Sequence, residues 1–95
     1  MPYLIKIQKY ARTAEKAERK LERTVKSEDP PVIKISKLMQ VASKGQMLNR
    51  KVNRVVLNEA PGWREANEGA QIARRGARIN RDALLEIRKL QRENE

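Results

Sequence analysis

Ninety-five residues with a formal net charge of +10 make a short, strongly basic chain, and 36% of its residues are Asp, Glu, Lys or Arg. It contains no Cys and no His, and therefore lacks disulfides, thiol nucleophiles, the usual zinc ligands and the commonest acid–base side chain. We expect a protein that is not an enzyme, holds no metal or cofactor and has no small-molecule substrate.

The chain offers little material for a large core. Phe is absent, and the aromatic residues are Tyr3, Tyr10 and Trp63. A core of this size is marginal for a monomer, so the composition favours a homo-oligomer.

The start of the chain does not resemble a secretory signal, because its apolar block is too short before Lys9 and Arg12. The longest plain apolar run, 55–57, is far too short to span a bilayer. We therefore expect a soluble protein, cytoplasmic or virion-associated, without a membrane span.

Two breaks divide the chain, at 29–31 and at 60–62, where proline disfavours helix before it and glycine permits a turn. They predict a single small all-α domain over 1–95. Its three helical segments are expected at 3–27, 33–58 and 63–93, in an extended or oligomeric bundle.

The first segment has apolar residues at alternating four- and three-residue spacing, typical of a heptad seam on a helix. The seam consists of Tyr3, Ile7, Tyr10, Ala14, Ala17 and Leu21. One alternative is a two-stranded sheet, because Ile and Lys alternate in both 5–9 and 33–37. Another is a helix that anchors at a membrane surface through residues 3–10.

The last segment contains an approximate seven-residue repeat that places Gly69 and Gly76 at one heptad position. Glycine costs about 1 kcal/mol relative to alanine inside a helix. The recurrence therefore predicts close backbone approach to a neighbouring helix, and the alternative is that both glycines soften the helix. About thirty helical residues would extend roughly 45 Å.

Between Asp29 and Glu59 the chain has no acidic residue. The cations in this interval are Lys34, Lys37, Lys44, Arg50, Lys51 and Arg54. A surface of one sign is typically matched by a polyanion, because binding releases the polyanion's counterions. Nucleic acid is therefore the expected partner.

Within this interval, residues 38–57 resemble the helix-turn-helix motif of DNA-binding regulators. Val41, Ala42, Met47, Val52 and Val55 occupy the motif's apolar and small positions. The resemblance implies a second helix that reads bases in the major groove. The base-reading residues would be Gln46, Asn49, Arg50, Asn53 and Arg54, and the phosphate contacts would be Lys34, Lys37, Lys44 and Lys51.

The alternative for the same residues is one continuous helix. Its heptad positions would be Leu38, Val41, Gly45, Leu48, Val52 and Val55, with Gly45 in place of a core side chain. Its outer face would still be basic and could bind phosphates without reading bases.

A second candidate binding group is Arg74, Arg75, Arg78 and Arg81. Arginine forks suit phosphate oxygens, which favours nucleic-acid contacts here as well. The alternative is that these arginines pair with nearby acids, namely Glu65, Glu68, Asp82 and Glu86.

Trp63 follows the second break, where it is expected to pack as a hydrophobic staple at the start of the last helix. Stacking on an unpaired base is the alternative.

Together these features predict a non-enzymatic, self-associating protein that binds nucleic acid, with DNA favoured over RNA. One alternative is a structural subunit of a nucleoprotein assembly, such as a virion, filament or ribosome-associated complex. The other is a helical adaptor that binds an acidic protein surface.

Overall fold

The computed structural model describes residues 2–94, which form three α-helices: α1 (Tyr3–Lys26), α2 (Pro31–Glu59) and α3 (Trp63–Glu93). The predicted all-α fold is confirmed. Residues 2–94 contain no strand, so the two-stranded alternative is wrong. The alternating Ile and Lys residues lie in early turns of α1 and α2, where Ile7 is buried while Ile5 and Ile33 remain exposed.

The helix boundaries follow the prolines closely. Pro31 is the first residue of α2, a position where its missing N–H leaves no helical hydrogen bond unmade. At the other end, Pro61 disfavours helical geometry at Ala60, which is extended at φ −64° and ψ 122°. The three predicted segments therefore match the observed helices to within about two residues at each end.

The predicted heptad seams of α1 and α2 are buried or half-buried. The fully buried side chains include Ala14 of α1 and Leu38, Leu48 and Val52 of α2. The two seams and the small residues of α3 pack against one another within a single chain. Because they are covered internally, these faces no longer argue for an oligomer.

The closest contact in the fold joins α2 and α3, which form an antiparallel hairpin and the most extensive of the three helix pairings. A Cβ atom on Gly45 would lie 2.6 Å from the carbonyl oxygen of Gly76. A Cβ atom on Gly76 would lie 2.8 Å from the backbone nitrogen of Asn49. The predicted close approach at Gly76 is confirmed, and its neighbour is the backbone of α2.

Two asparagines clamp this contact from both sides. Asn49 Nδ2 donates to the carbonyl of Ala73 at 2.9 Å, and Asn80 Nδ2 donates to the carbonyl of Ala42 at 2.8 Å. Ala, Gly and Asn thus recur in both helices at the same spacing, as Ala42, Gly45 and Asn49 in α2 and as Ala73, Gly76 and Asn80 in α3. We call this arrangement the glycine–asparagine crossing.

Helix α1 lies against both arms of the hairpin and is attached to both at its start. The Tyr3 hydroxyl donates to the carbonyl of Glu65 at 2.6 Å, and Lys6 pairs with Glu59 at 2.7 Å. The complete bundle measures 50 × 18 × 16 Å, so the molecule is a rod about as long as its last helix.

Replacing Gly76 by Ala tests the crossing. Alanine gains about 1 kcal/mol of helix propensity, but overpacking against atoms that cannot rotate away costs about 1–3 kcal/mol. Because the new Cβ meets backbone of α2, we expect overpacking to win and the free energy of unfolding in urea to fall. In the control, Gly62→Ala, the added Cβ meets the flexible carboxylate of Glu65, so the loss should be limited to the poorer N-cap preference of alanine and remain smaller. Equal stability of both variants would contradict the crossing.

Replacing Tyr3 by Phe tests the attachment of α1. At pH 7 we expect a loss of about 1 kcal/mol, the usual net value of one hydrogen bond. Burial, followed by the carboxylates of Glu68 and Glu65, raises the pKa of the Tyr3 phenol. The stabilisation from this group is therefore complete below its unfolded pKa of about 10 and is lost as pH rises through the higher folded value. Urea unfolding at pH 7 and above pH 10 should show that the difference in free energy of unfolding between wild type and variant becomes smaller at high pH. An equal difference at both pH values would contradict this role of the Tyr3 hydroxyl.

Candidate nucleic-acid interface

Residues 38–57 lie entirely within α2, which is helical from Pro31 to Glu59 without a turn. The continuous-helix alternative is confirmed, and the turn implied by the helix-turn-helix resemblance does not form in this segment. The physical reason is the role of Gly45: it brings two helices together in the glycine–asparagine crossing instead of reversing the chain.

Three of the predicted binding residues on α2 are engaged within the chain. The Asn49 amide, expected to read a base, is hydrogen-bonded to α3. Lys34 Nζ donates to the carbonyl of Val25 at 3.2 Å, and Lys37 pairs with Asp29 at 2.8 Å. The hydrogen bond from Lys37 lowers the pKa of the Asp29 carboxyl. These three side chains make contacts within the chain, and their roles in nucleic-acid binding stay a prediction.

The other predicted residues of α2 are exposed: Lys44, Gln46, Arg50, Lys51, Asn53 and Arg54. Among residues 2–94, none of the four cations in this set forms an ion pair. Their charge is therefore available to a partner.

A groove of ≈ 430 Å³ runs between α1 and α2. Its floor includes the buried side chains of Ala17 and Val41, and Lys16, Lys20 and Lys44 stand along it. Thr13 and Gln40 add a hydroxyl and an amide, and the Gln40 carbonyl oxygen accepts from Lys20 Nζ at 3.1 Å. No carboxylate lines this groove, so it presents donors suited to phosphate oxygens.

Two shallower depressions continue this groove along α2. The first is lined in part by Lys44 and Met47, and the second by Met47, Arg50, Lys51 and Arg54. No acidic side chain lines either of them. We call the resulting surface the α1–α2 cationic face, which comprises Lys16, Lys20, Lys44, Arg50, Lys51 and Arg54.

The sequence prediction missed Lys16 and Lys20, although their helical spacing carried a signal. Lys9, Lys16 and Lys20 follow one flank of α1, whereas Glu15, Glu18 and Glu22 follow another. Two contacts show which helix each flank faces. Lys20 is hydrogen-bonded to Gln40 of α2, and Glu18 pairs with Arg75 of α3. Contacts thus place Lys16 and Lys20 toward α2 and Glu18 toward α3, whereas the other two glutamates pair with Arg19 and Lys26 of α1 itself.

Helix α3 carries a second cationic surface on its outer side. Arg74, Arg78, Arg81, Arg88 and Arg92 are exposed and spaced at turns of the helix, and we call them the α3 arginine stripe. Arg81 also contacts Asp82 at 3.1 Å, as the acid-pairing alternative expected.

Arg75 belongs to the arginine group predicted from the sequence but not to the α3 arginine stripe, because its side chain contacts α1. Its guanidinium is hydrogen-bonded to Glu18, and this contact raises the pKa of Arg75. Arg75 therefore ties α1 to α3, and its role as a phosphate contact stays a prediction. Its partner was not among the acids considered from the sequence, because that partner lies on another helix.

Gln46 and Asn53 lie on the flank of α2 opposite to Lys44 and Lys51. Each amide follows its lysine by two residues, which rotates it by about 200° around the helix. A duplex held by these lysines would not bring its base edges to these amides. This separation holds for the two lysines but not for Arg50, which shares a helix face with both amides by four- and three-residue spacing.

Trp63 is 83% exposed at the start of α3, so the expected staple is wrong. Base stacking by this indole stays a prediction. Within residues 2–94 no helix is long and apolar enough to cross a membrane, and no cluster of acidic side chains is arranged to hold a metal ion.

The role of Asn49 can be tested against Asn53, which lies four residues further along the same helix. Both Asn→Ala changes gain the same helix propensity, so their difference isolates the hydrogen bond of Asn49. We expect Asn49→Ala to be less stable than Asn53→Ala by about 1 kcal/mol, measured by urea unfolding. Equal stability would return Asn49 to the set of available binding residues.

The chain and its fold were compared with protein families, curated proteins and solved structures. Neither protein-family models nor curated proteins nor solved structures provide a match to this sequence or fold. The function is therefore inferred from the geometry and charge of the chain's own side chains.

Proposed function

We propose that this protein is a non-enzymatic, phosphate-binding nucleic-acid protein that holds duplex DNA on its α1–α2 cationic face without reading base sequence. The observation that carries the proposal is the row of three adjoining depressions between Lys20 and Arg54. They are lined by six cations and no carboxylate.

The dimensions of this face suit the backbone of a nucleic acid. From Lys44 to Arg54 the face follows α2 for roughly 15 Å at ~1.5 Å per residue. Successive base pairs are spaced by about 3.4 Å along the duplex axis, so the α2 part alone runs beside roughly four base-pair steps of a duplex. Lys16 and Lys20 widen the face across the groove from α1. Such a surface accommodates a strand backbone lying along the rod.

The cations supply both charge and directed hydrogen bonds. Lysine contributes a compact ammonium group, whereas arginine can hold two phosphate oxygens at once. Most of the binding free energy is expected from counterion release, which does not depend on base sequence. Binding without base readout is also favoured because Asn49 is hydrogen-bonded within the fold and because Gln46 and Asn53 lie away from the two lysines of the face on α2.

This proposal favours the structural-subunit alternative over the sequence-specific regulator. A subunit that coats or organises nucleic acid needs phosphate contacts and a rigid scaffold, and no recognition helix set in a major groove. The clamped α2–α3 hairpin provides a rigid support for the face.

Fluorescence anisotropy with labelled duplex DNA, single-stranded DNA and duplex RNA tests the proposal across a salt series. If about four to six phosphates are neutralised, the log–log salt slope on duplex DNA should be roughly −4 to −5, at about −0.9 per phosphate. The variant Lys44→Gln/Lys51→Gln/Arg54→Gln should weaken binding to two unrelated duplexes equally and make the slope shallower by about 2 to 3.

The matched control is Gln46→Ala/Asn53→Ala, which alters exposed side chains on the opposite flank of α2. We expect this control to bind both duplexes as the wild type does. A preference of the wild type for one duplex that the control abolishes would return the protein to the regulator class. Absence of binding at low salt on all three nucleic acids would reject the proposal and favour the adaptor for an acidic protein.

A further inference from the structure

The rod has two separate cationic surfaces, and they point in opposite directions. In a bundle where each helix contacts both others, the groove between two helices opens away from the third. The groove part of the α1–α2 cationic face, lined by Lys16, Lys20 and Lys44, therefore faces away from α3. The α3 arginine stripe lies on the outer side of α3, opposite the residues that α3 buries, such as Gly76 and Ala83.

Acids mark the boundary between the two surfaces on the side of α1. Glu18 pairs with Arg75 there, and Glu65 and Glu68 lie near Tyr3 of α1. Asp82 and Glu86 follow the same flank of α3 by helical spacing. This band of carboxylates repels a polyanion and prevents the two cationic surfaces from forming one continuous path across the α1–α3 side.

One duplex cannot occupy both surfaces. The rod is only 18 × 16 Å across its short axes, so a duplex touching both sides would have to bend around it within a few base pairs. Duplex DNA is stiff over about 150 base pairs, and even moderate bending of a short site costs several kcal/mol. Each surface therefore has to take its own segment of duplex.

Resting on the function proposed above, we infer that a single chain bridges two nucleic-acid duplexes, one on the α1–α2 cationic face and the other on the α3 arginine stripe. The second site is the stripe itself, whose exposed guanidinium groups repeat at turns of the helix over roughly 27 Å. Its ligand is the phosphate backbone of a second duplex, because arginine forks bind paired phosphate oxygens and four of the five stripe arginines form no ion pair among residues 2–94.

A capture assay tests bridging. Beads carrying one duplex are mixed with protein and a second, fluorescent duplex, and the retained fluorescence is measured beside anisotropy on a single duplex. The variant Arg74→Gln/Arg78→Gln/Arg88→Gln should keep single-duplex binding within about threefold but lose most of the capture. The matched control Arg19→Gln/Lys26→Gln/Arg64→Gln removes the same charge from exposed positions outside both surfaces and should retain capture. Circular dichroism establishes that each variant remains helical.

The outcomes separate this inference from the function on which it rests. Wild-type protein that binds no duplex rejects both. If the wild type binds duplex but captures no second duplex, bridging is rejected and the proposed function stands. Capture that survives in the arginine variant also rejects bridging by a single chain, because the two duplexes would then be held by paired copies that use the α1–α2 cationic face. Loss of single-duplex binding in the arginine variant would show one composite site instead of two. Capture that is lost while single-duplex binding persists supports the inference.

Discussion

The fold depends on the contact between Gly45 and Gly76, where two helix backbones meet without a side chain between them. Short aliphatic side chains and few aromatics give this chain little apolar area to bury. Close approach compensates, because it lets Leu48 and Ile79 pack near the axis while two asparagine amides bond carbonyls of the facing helix. The fixed hairpin then gives α1 a surface to pack against and gives the cations defined positions.

The sequence predicted the helices and their buried faces well, because both depend on local spacing and proline positions. It also indicated which intervals lack acids. It could not show that Asn49 and Arg75 bond to other helices, because those contacts depend on which helix faces meet. Lys16 and Lys20 were missed for the same reason: they join the interface only when α1 lies beside α2. Trp63 was misplaced because a staple needs an apolar neighbour that the fold does not supply.

Charge sorting links this fold to its proposed role. Along the chain, acids and bases alternate in α1 and α3 as on many solvated helices. In the bundle, Glu18, Glu65 and Glu68 lie on the side shared by α1 and α3, whereas the α1–α2 groove is lined by cations and no carboxylate. Net charge alone would favour any polyanion. The distribution of the charge makes the sides of the rod different from one another. A polyanion is therefore accommodated on the cationic sides and not on the side where carboxylates lie.

The reciprocal form of the glycine–asparagine crossing also bears on ancestry. A larger residue at position 45 or at position 76 would separate the same two backbones, and losing either asparagine would remove one hydrogen bond between the two helices. Selection on the two arms is therefore coupled. Homologous chains should keep small residues at both glycine positions together and amides at both asparagine positions together, while their surfaces diverge. This paired spacing provides a search pattern for relatives too distant for overall identity to reveal.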